Sequence, residues 1–173
     1  MPYCWISAFD VVPHERLAAK LSHYGIRGRV LQWISSFLSL RSQQVVVEGS
    51  TSSSSPVTSG VPQGLVLGPL LFLVYINDLP SKVLSTTKLF ADDSLLYRRI
   101  RSVQDSIALQ EDLDSLQKWE KDWMMTFNAS KCEVIRITKK RNPIQASYAI
   151  HGKALAVVKH GKYLGVNIAE DLS

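Results

Sequence analysis

Leu89-Phe90-Ala91-Asp92-Asp93-Ser94-Leu95-Leu96-Tyr97 places two adjacent carboxylates between two apolar, β-prone stretches. The pattern predicts strand, tight turn, strand, with Asp92 and Asp93 at the tip. Aspartates held there stand on a rigid support yet meet water, which suits hard divalent cations. Phosphoryl transfer uses such cations to clamp the attacking and leaving oxygens. Asp-Asp is also ordinary turn chemistry, and this chain has nine aspartates, so the pair has to be weighed with its surroundings.

Upstream, Ser59-Gly60-Val61-Pro62-Gln63-Gly64-Leu65-Val66-Leu67-Gly68-Pro69 carries three glycines and two prolines in eleven residues. Such a segment exposes backbone amides and carries little side-chain bulk. It is neither a Walker loop, because no Gly-Lys-Ser/Thr follows, nor a dinucleotide fingerprint. Pro69 occupies a favoured first helical position, and residues 70–76 supply an apolar helix that Asp78-Leu79-Pro80 should stop.

Taken in order, Ser59-Gly60-Val61-Pro62-Gln63-Gly64, the helix ending Tyr75-Ile76-Asn77-Asp78-Leu79, and Phe90-Ala91-Asp92-Asp93 resemble consecutive palm motifs of reverse transcriptases of the non-LTR (LINE-type) retrotransposon family. Ala8-Phe9-Asp10-Val11-Val12-Pro13-His14 resembles the tail of that family's first palm motif. Phe127-Asn128-Ala129-Ser130-Lys131 and Lys162-Tyr163-Leu164-Gly165-Val166 resemble its later palm motif and its primer-grip hairpin. The resemblance covers nearly the whole chain.

The resemblance implies an RNA-directed DNA polymerase that joins a dNTP to a primer 3′-hydroxyl, with an RNA template, a DNA primer and two Mg2+ ions. It assigns Asp92 and Asp93 to the metal site and Lys131 to the leaving pyrophosphate. Phe9, Pro62, Gln63 and Gly64 would line the incoming nucleotide and template base, Phe9 rejecting a 2′-hydroxyl by bulk. Tyr163, Leu164 and Gly165 would hold the primer end.

The chain departs from the family at its start. The family has a metal-binding aspartate six residues before the position of Asp10, and Cys4 stands there. Asp10 cannot replace it, because six strand residues separate side chains by roughly 20 Å. A thiol is a poor partner for magnesium, which takes oxygen. Residues 1–7 thus read as an atypical start, with a strand over 4–9 expected beside the Asp92–Asp93 hairpin. The fingers region before the first palm motif and the thumb after the primer grip are expected to be missing, leaving a single partial domain over 1–173. A catalytically inactive remnant that at most binds nucleic acid is the alternative to an active polymerase. Another palm enzyme, such as an intron maturase or an RNA-copying RNA polymerase, fits less well, given Phe90 before Ala-Asp-Asp and the run from Gly60 to Gly68.

Composition agrees with a polyanion-binding domain. The 173 residues include 20 Lys and Arg against 15 Asp and Glu, a net charge of +5, and the pI is near 9.3. Lys131, Arg136, Lys139, Lys140, Arg141, Lys153, Lys159 and Lys162 crowd one region, and Arg98, Arg99 and Arg101 another. Singly these are ordinary surface residues; grouped beside a primer-holding hairpin they suit phosphate contacts. Two cysteines exclude a disulfide framework and a zinc quartet. The longest apolar run, 65–76, is too short to span a bilayer, and no signal peptide opens the chain, so no membrane is expected and the location is read as intracellular. Oligomeric state is not legible. The four histidines share no ligand spacing, and Trp119 and Trp123 read as core.

The remaining pattern predicts helices over 14–23 and 30–38, a strand over 43–48 and a serine-rich loop over 49–55. Ser102 and Asp105 suggest a capping box for a long helix whose inward face uses Val103, Ile107, Leu113, Leu116 and Trp119. A strand over 132–138 and a hairpin about His151-Gly152 follow, within a primer-grip-like region over 144–168. The fold class is therefore α+β, a palm-like antiparallel sheet backed by helices.

Overall fold

The fold is seen in a computed structural model, which describes Pro2–Cys4 as backbone and residues 8–172 in full. In chain order the elements begin with β1 (Pro2–Cys4), α1 (His14–His23), α2 (Gly28–Ser39), β2 (Ser42–Gln43), β3 (Val46–Val47), β4 (Ser50–Thr51), β5 (Ser55–Pro56) and α3 (Leu67–Ile76). A 3-10 helix (Leu79–Lys82), β6 (Thr86–Phe90), β7 (Asp93–Tyr97), α4 (Val103–Trp123) and β8 (Glu133–Ile135) follow. The last elements are β9 (Ala149–Ile150), β10 (Lys153–Ala154), β11 (Ala156–Val158), β12 (His160–Tyr163) and β13 (Val166–Ala169). They fall into two compact units: a helical unit, Ser7–Ile76, and a sheet unit, Met1–Ile6 with Asn77–Ser173.

In the helical unit, α1 begins at the predicted residue, directly after Pro13. Its end is local chemistry. Gly25, at φ +89°, lets its own N–H donate to Ser22 O and that of Ile26 donate to Leu21 O, satisfying the last carbonyls. Leu17 and Leu21 are buried on its inward side. Lys20 is also buried, with its ammonium donating to Tyr75 O near the end of α3 and lying 4.8 Å from the Tyr75 ring centroid. A cation there offsets the negative end of the helix dipole. The helix α3 is apolar all round, and Leu71, Phe72, Tyr75 and Ile76 fill the core. Helix α2 buries only Ile34 and Leu38, leaving Val30 and Trp33 exposed, and Trp33 instead stacks on Phe37 at 5.9 Å. One expectation, the strand over 43–48, changes in this unit. It is two exposed two-residue pieces, because the valines there meet only short serine-rich partners.

In the sheet unit, the central sheet is antiparallel with order β1-β7-β6. Burial alternates along β6 and β7: Ser94 and Leu96 are fully buried, while Phe90 and Tyr97 are exposed on the opposite face. Helix α4 has the predicted capping box, with Ser102 and Asp105 satisfying each other's backbone N–H. Leu113, Leu116 and Trp119 are buried as expected, each contributing about 1.5–3 kcal/mol. Val103 and Ile107, expected inside, are exposed. Leu109 and the carboxylate of Asp112 take the inward stripe, since Asp112 accepts from Leu84 N (2.7 Å) and Ser85 N (2.8 Å).

The hairpin about His151-Gly152 is present as β9–β10, with both turn residues at positive φ. The strand over 132–138 shortens to β8 and pairs with β11 in parallel, a departure from a purely antiparallel reading. The fold is thus mixed α and β, with small strand pairs that are mostly antiparallel. Among the described residues no helix is long and apolar enough to cross a membrane.

Candidate nucleotidyl-transfer site

The acidic turn forms because five residues on each side pair in register, from Thr86 opposite Tyr97 to Phe90 opposite Asp93. Ala91 and Asp92 are the two turn residues, and Ala91 adopts φ +48°. Asp92 is exposed at the tip and Asp93 is half-buried at the first position of β7. The hairpin and the place of Asp92 are as predicted, whereas Asp93, also expected at the tip, opens β7 opposite Phe90.

On the other side of β7, Cys4 is the register partner of Asp93, as Tyr3 is of Ser94. The strand beside the hairpin is therefore Pro2–Cys4, earlier in the chain than the expected 4–9. Trp5, Ile6 and Ser7 lie outside the described residues, and residues 8–10 form a turn.

The β12–β13 hairpin lies beyond β1, with β12 in contact with β1 and β8. Its turn is Leu164-Gly165, both at positive φ, and Tyr163 opens it opposite Val166. Burial raises the Tyr163 hydroxyl above its ordinary 10.0, and the carboxylate of Asp93 raises it further. The hydroxyl of Tyr163 thus lies within electrostatic reach of the Asp93 carboxylate. At Gly161 a Cβ would lie 2.5 Å from Ile135 Cδ1, the movable end of that side chain, so a larger residue there would displace Ile135.

Lys131 is exposed after α4, with its backbone N–H donating to Asn128 O. Buried Phe127, just before it, donates its N–H to Glu120. Glu120 also meets His151 Nε2 at 2.6 Å, while Gln117 accepts from His151 N and Gln110 pairs with both backbone groups of Ala149. Desolvation raises the Glu120 carboxyl above its ordinary value, against the pull of Phe127 N–H and His151. Sequence reasoning missed this clamp, because no local pattern links polar residues of a helix to a turn some thirty residues further on.

The helical unit holds the other assigned residues. Phe9 is half-buried and stacked on Phe72, with ring centroids 4.5 Å apart. Its carbonyl accepts from Val61 N, and Gly60 N donates to Val12 O, so the glycine-rich loop is laced to residues 9–12. Gly60 is required there, since a Cβ would lie 2.7 Å from Asp10 O. Pro62 is half-buried, while Gln63 and Gly64 are exposed. Gln63 donates to Asp10 Oδ1 at 3.3 Å, so Asp10 serves this loop. Helix α3 begins two residues before Pro69, and Gly68 packs so tightly that a Cβ would meet Pro62 O.

A two-ion centre needs more anionic oxygen than one aspartate pair supplies. Among the described residues no group of three or more His, Cys, Asp or Glu gathers. The donor set of the described residues does not fit two magnesium ions.

The family model described as reverse transcriptase (RNA-dependent DNA polymerase) matches residues 6–168. The RNA-directed DNA polymerase from mobile element jockey of Drosophila melanogaster is 31% identical over 96% of this chain. Its counterpart from Drosophila funebris is 34% identical over the same share. The Pol polyprotein of the type-1 retrotransposable element R2 of Popillia japonica is 25% identical over 94%. The chain spans 19% of the length of each jockey protein and 29% of the R2 protein. This 173-residue chain belongs to the reverse transcriptase family, and it is similar to the RNA-directed DNA polymerases of the jockey mobile elements.

Proposed function

We propose that the chain is one partial reverse transcriptase domain over 1–173, palm-like, that binds an RNA template paired with a DNA primer but extends no primer as it stands. The observation that carries this reading is the pairing of Cys4 with Asp93 across the sheet; the resemblance assigns the position of Cys4 to the family's other metal-binding aspartate. Asp92 and Asp93 are the carboxylates that magnesium would meet, and Cys4 supplies a thiol in place of the third. Lys131 is assigned to the pyrophosphate side, and Phe9, Pro62, Gln63 and Gly64 to the nucleotide and template base. Tyr163, Leu164 and Gly165 are assigned to the primer end, a reading supported by the electrostatic contact of Tyr163 with Asp93. The protein works inside the cell, where its templates are.

The test has two readouts. Primer extension with magnesium and all four dNTPs should be absent; extension that Asp92→Asn abolishes would overturn the proposal. Binding of a labelled RNA–DNA primer–template should weaken steeply with salt. Lys153→Ser, Lys159→Ser and Lys162→Ser together, all exposed in the sheet unit, should flatten the log–log salt slope by about 2 to 3. A slope unchanged by that triple variant would reject the phosphate role of this segment.

A further inference from the structure

A cleft of about 380 Å³ opens in the sheet unit, at the end of β7 remote from the acidic turn. Asp93 and Tyr97 lie at opposite ends of that strand, about 13 Å apart at 3.3 Å per residue. The cleft floor is apolar, with Leu96, Leu109, Val134 and Ile144 among its residues. Its rim is cationic: Arg98, Arg99, Arg101, Arg136 and Lys140 line it, and no Asp or Glu does.

The five cations are not equivalent. Arg136 is committed internally, donating to Gln145 Oε1 and Ala146 O. Arg98 Nε lies 3.7 Å from Asp105 Oδ1, within ion-pair range but too far for a hydrogen bond, and it is buried without a hydrogen-bond partner among the described residues. Asp105 itself is held by the N–H groups of Arg101 and Ser102. The charged ends of Arg99, Arg101 and Lys140 meet no carboxylate among the described residues, and all three are exposed. Tyr97, which also lines the cleft, is 47% exposed.

Unopposed guanidinium groups, an accessible aromatic ring and an apolar floor in one concavity match the chemistry of an unpaired nucleotide. The base stacks on the ring or a guanidinium plane, and the flanking phosphates take the cations. The volume is that of an ordinary ligand cleft. We propose that this cleft is a second nucleic-acid site, which holds an unpaired segment of single-stranded polynucleotide away from the acidic turn. The site rests on the reading of the chain as a nucleic-acid-binding domain.

The experiment measures fluorescence anisotropy of the whole chain with a labelled 8-nucleotide RNA, the same sequence as DNA, and the paired primer–template. Arg99→Ser with Arg101→Ser should weaken single-strand binding about tenfold and flatten its salt slope by about 1.4, at about 0.7 per cation. Lys140→Ser, from a different segment, should act in the same direction, and Tyr97→Ala should weaken binding without changing the slope. Primer–template affinity should fall distinctly less than single-strand affinity in all of them. The RNA and DNA arms decide which polymer occupies the cleft, and binding of either supports it. Equal weakening of single-stranded and paired ligands would overturn the proposal, since the cleft would then be part of one continuous duplex surface. So would single-strand binding indifferent to all three variants. A chain that binds the paired ligand but neither single strand removes the cleft site and leaves the wider reading standing. A chain that binds none removes both.

Discussion

Cys4 and Asp93 face each other across the β1–β7 ladder, so the residue beside the acidic turn is a thiol-bearing one. Register makes this position decisive, because directly paired residues on antiparallel strands have Cβ atoms about 5 Å apart. A carboxylate introduced at Cys4 would therefore enter the neighbourhood of Asp93 without any change of backbone.

Cys4→Asp is expected to raise the affinity of the chain for Mn2+ by at least about tenfold, equivalent to about 1.4 kcal/mol. Paramagnetic broadening of backbone amide resonances at residues 91–94 reads this directly. Asp92→Asn in the Cys4→Asp background should reverse it. Broadening spread evenly over the surface would show that the turn is not where the ion sits.

Tyr163 should titrate above its ordinary 10.0, because burial and the Asp93 carboxylate both penalise its phenolate. Asp93→Asn should bring the midpoint part of the way down, leaving the share due to burial. The raised folded value gives a stability term that is intact below pH 10 and is lost as the pH climbs through the folded midpoint. Ultraviolet difference titration follows the phenolate. No movement on Asp93→Asn would separate Tyr163 from the turn.

Glu120 makes a pH prediction of its own. Its carboxyl is raised above the ordinary 4.5, chiefly by desolvation, so folding holds its proton more tightly than the unfolded chain does. That contribution is complete below pH 4.5 and declines as the pH rises through the folded value. Glu120→Gln retains an acceptor for the Phe127 N–H and should flatten this decline. Glu120→Ala strands that buried N–H and should cost about 1–3 kcal/mol. Urea unfolding from pH 4 to pH 7.5 distinguishes the two variants.

Gly68 and Gly64 should respond differently to alanine. At Gly68 the new methyl carbon would overlap Pro62 O at 1.7 Å, backbone against backbone. At Gly64 it meets nothing within 4 Å, and only the φ of +80° is unfavourable. Gly64→Ala should cost about 1–2 kcal/mol, and Gly68→Ala about 3 kcal/mol. Equal losses in thermal unfolding would contradict the tight turn between Pro62 and α3.

The parts of the fold legible in the sequence are those set by neighbours along the chain. The capping box at Ser102 and Asp105, the acidic hairpin and the His151-Gly152 turn each need only a few consecutive residues, and each is found as read. Partners remote in sequence were not legible. Val103 and Ile107 read as inward, yet Asp112 occupies that stripe because it satisfies backbone groups of Leu84 and Ser85, some 27 residues away. The parallel pairing of β8 with β11 left no mark, since periodicity carries no direction. At the site, Asp92, Asp93 and Tyr163 were read from motifs, whereas the Glu120–His151 link depends on a contact between a helix and a turn that no local pattern announces.

The sheet unit takes its edge strand from the opposite end of the chain, and this has a consequence for synthesis. The β6–β7 hairpin can close within microseconds, because its strands are neighbours in sequence. Strand β1 leaves the ribosome ahead of both other strands of the sheet and has no partner until Leu95 has emerged, 93 residues behind Pro2 by the register of the pair (95 − 2). At about 5–20 residues per second the nascent edge waits on the order of 5–20 seconds, unpaired. Throughout that interval it is open to chaperones, and to the strand edges of neighbouring nascent chains on the same message.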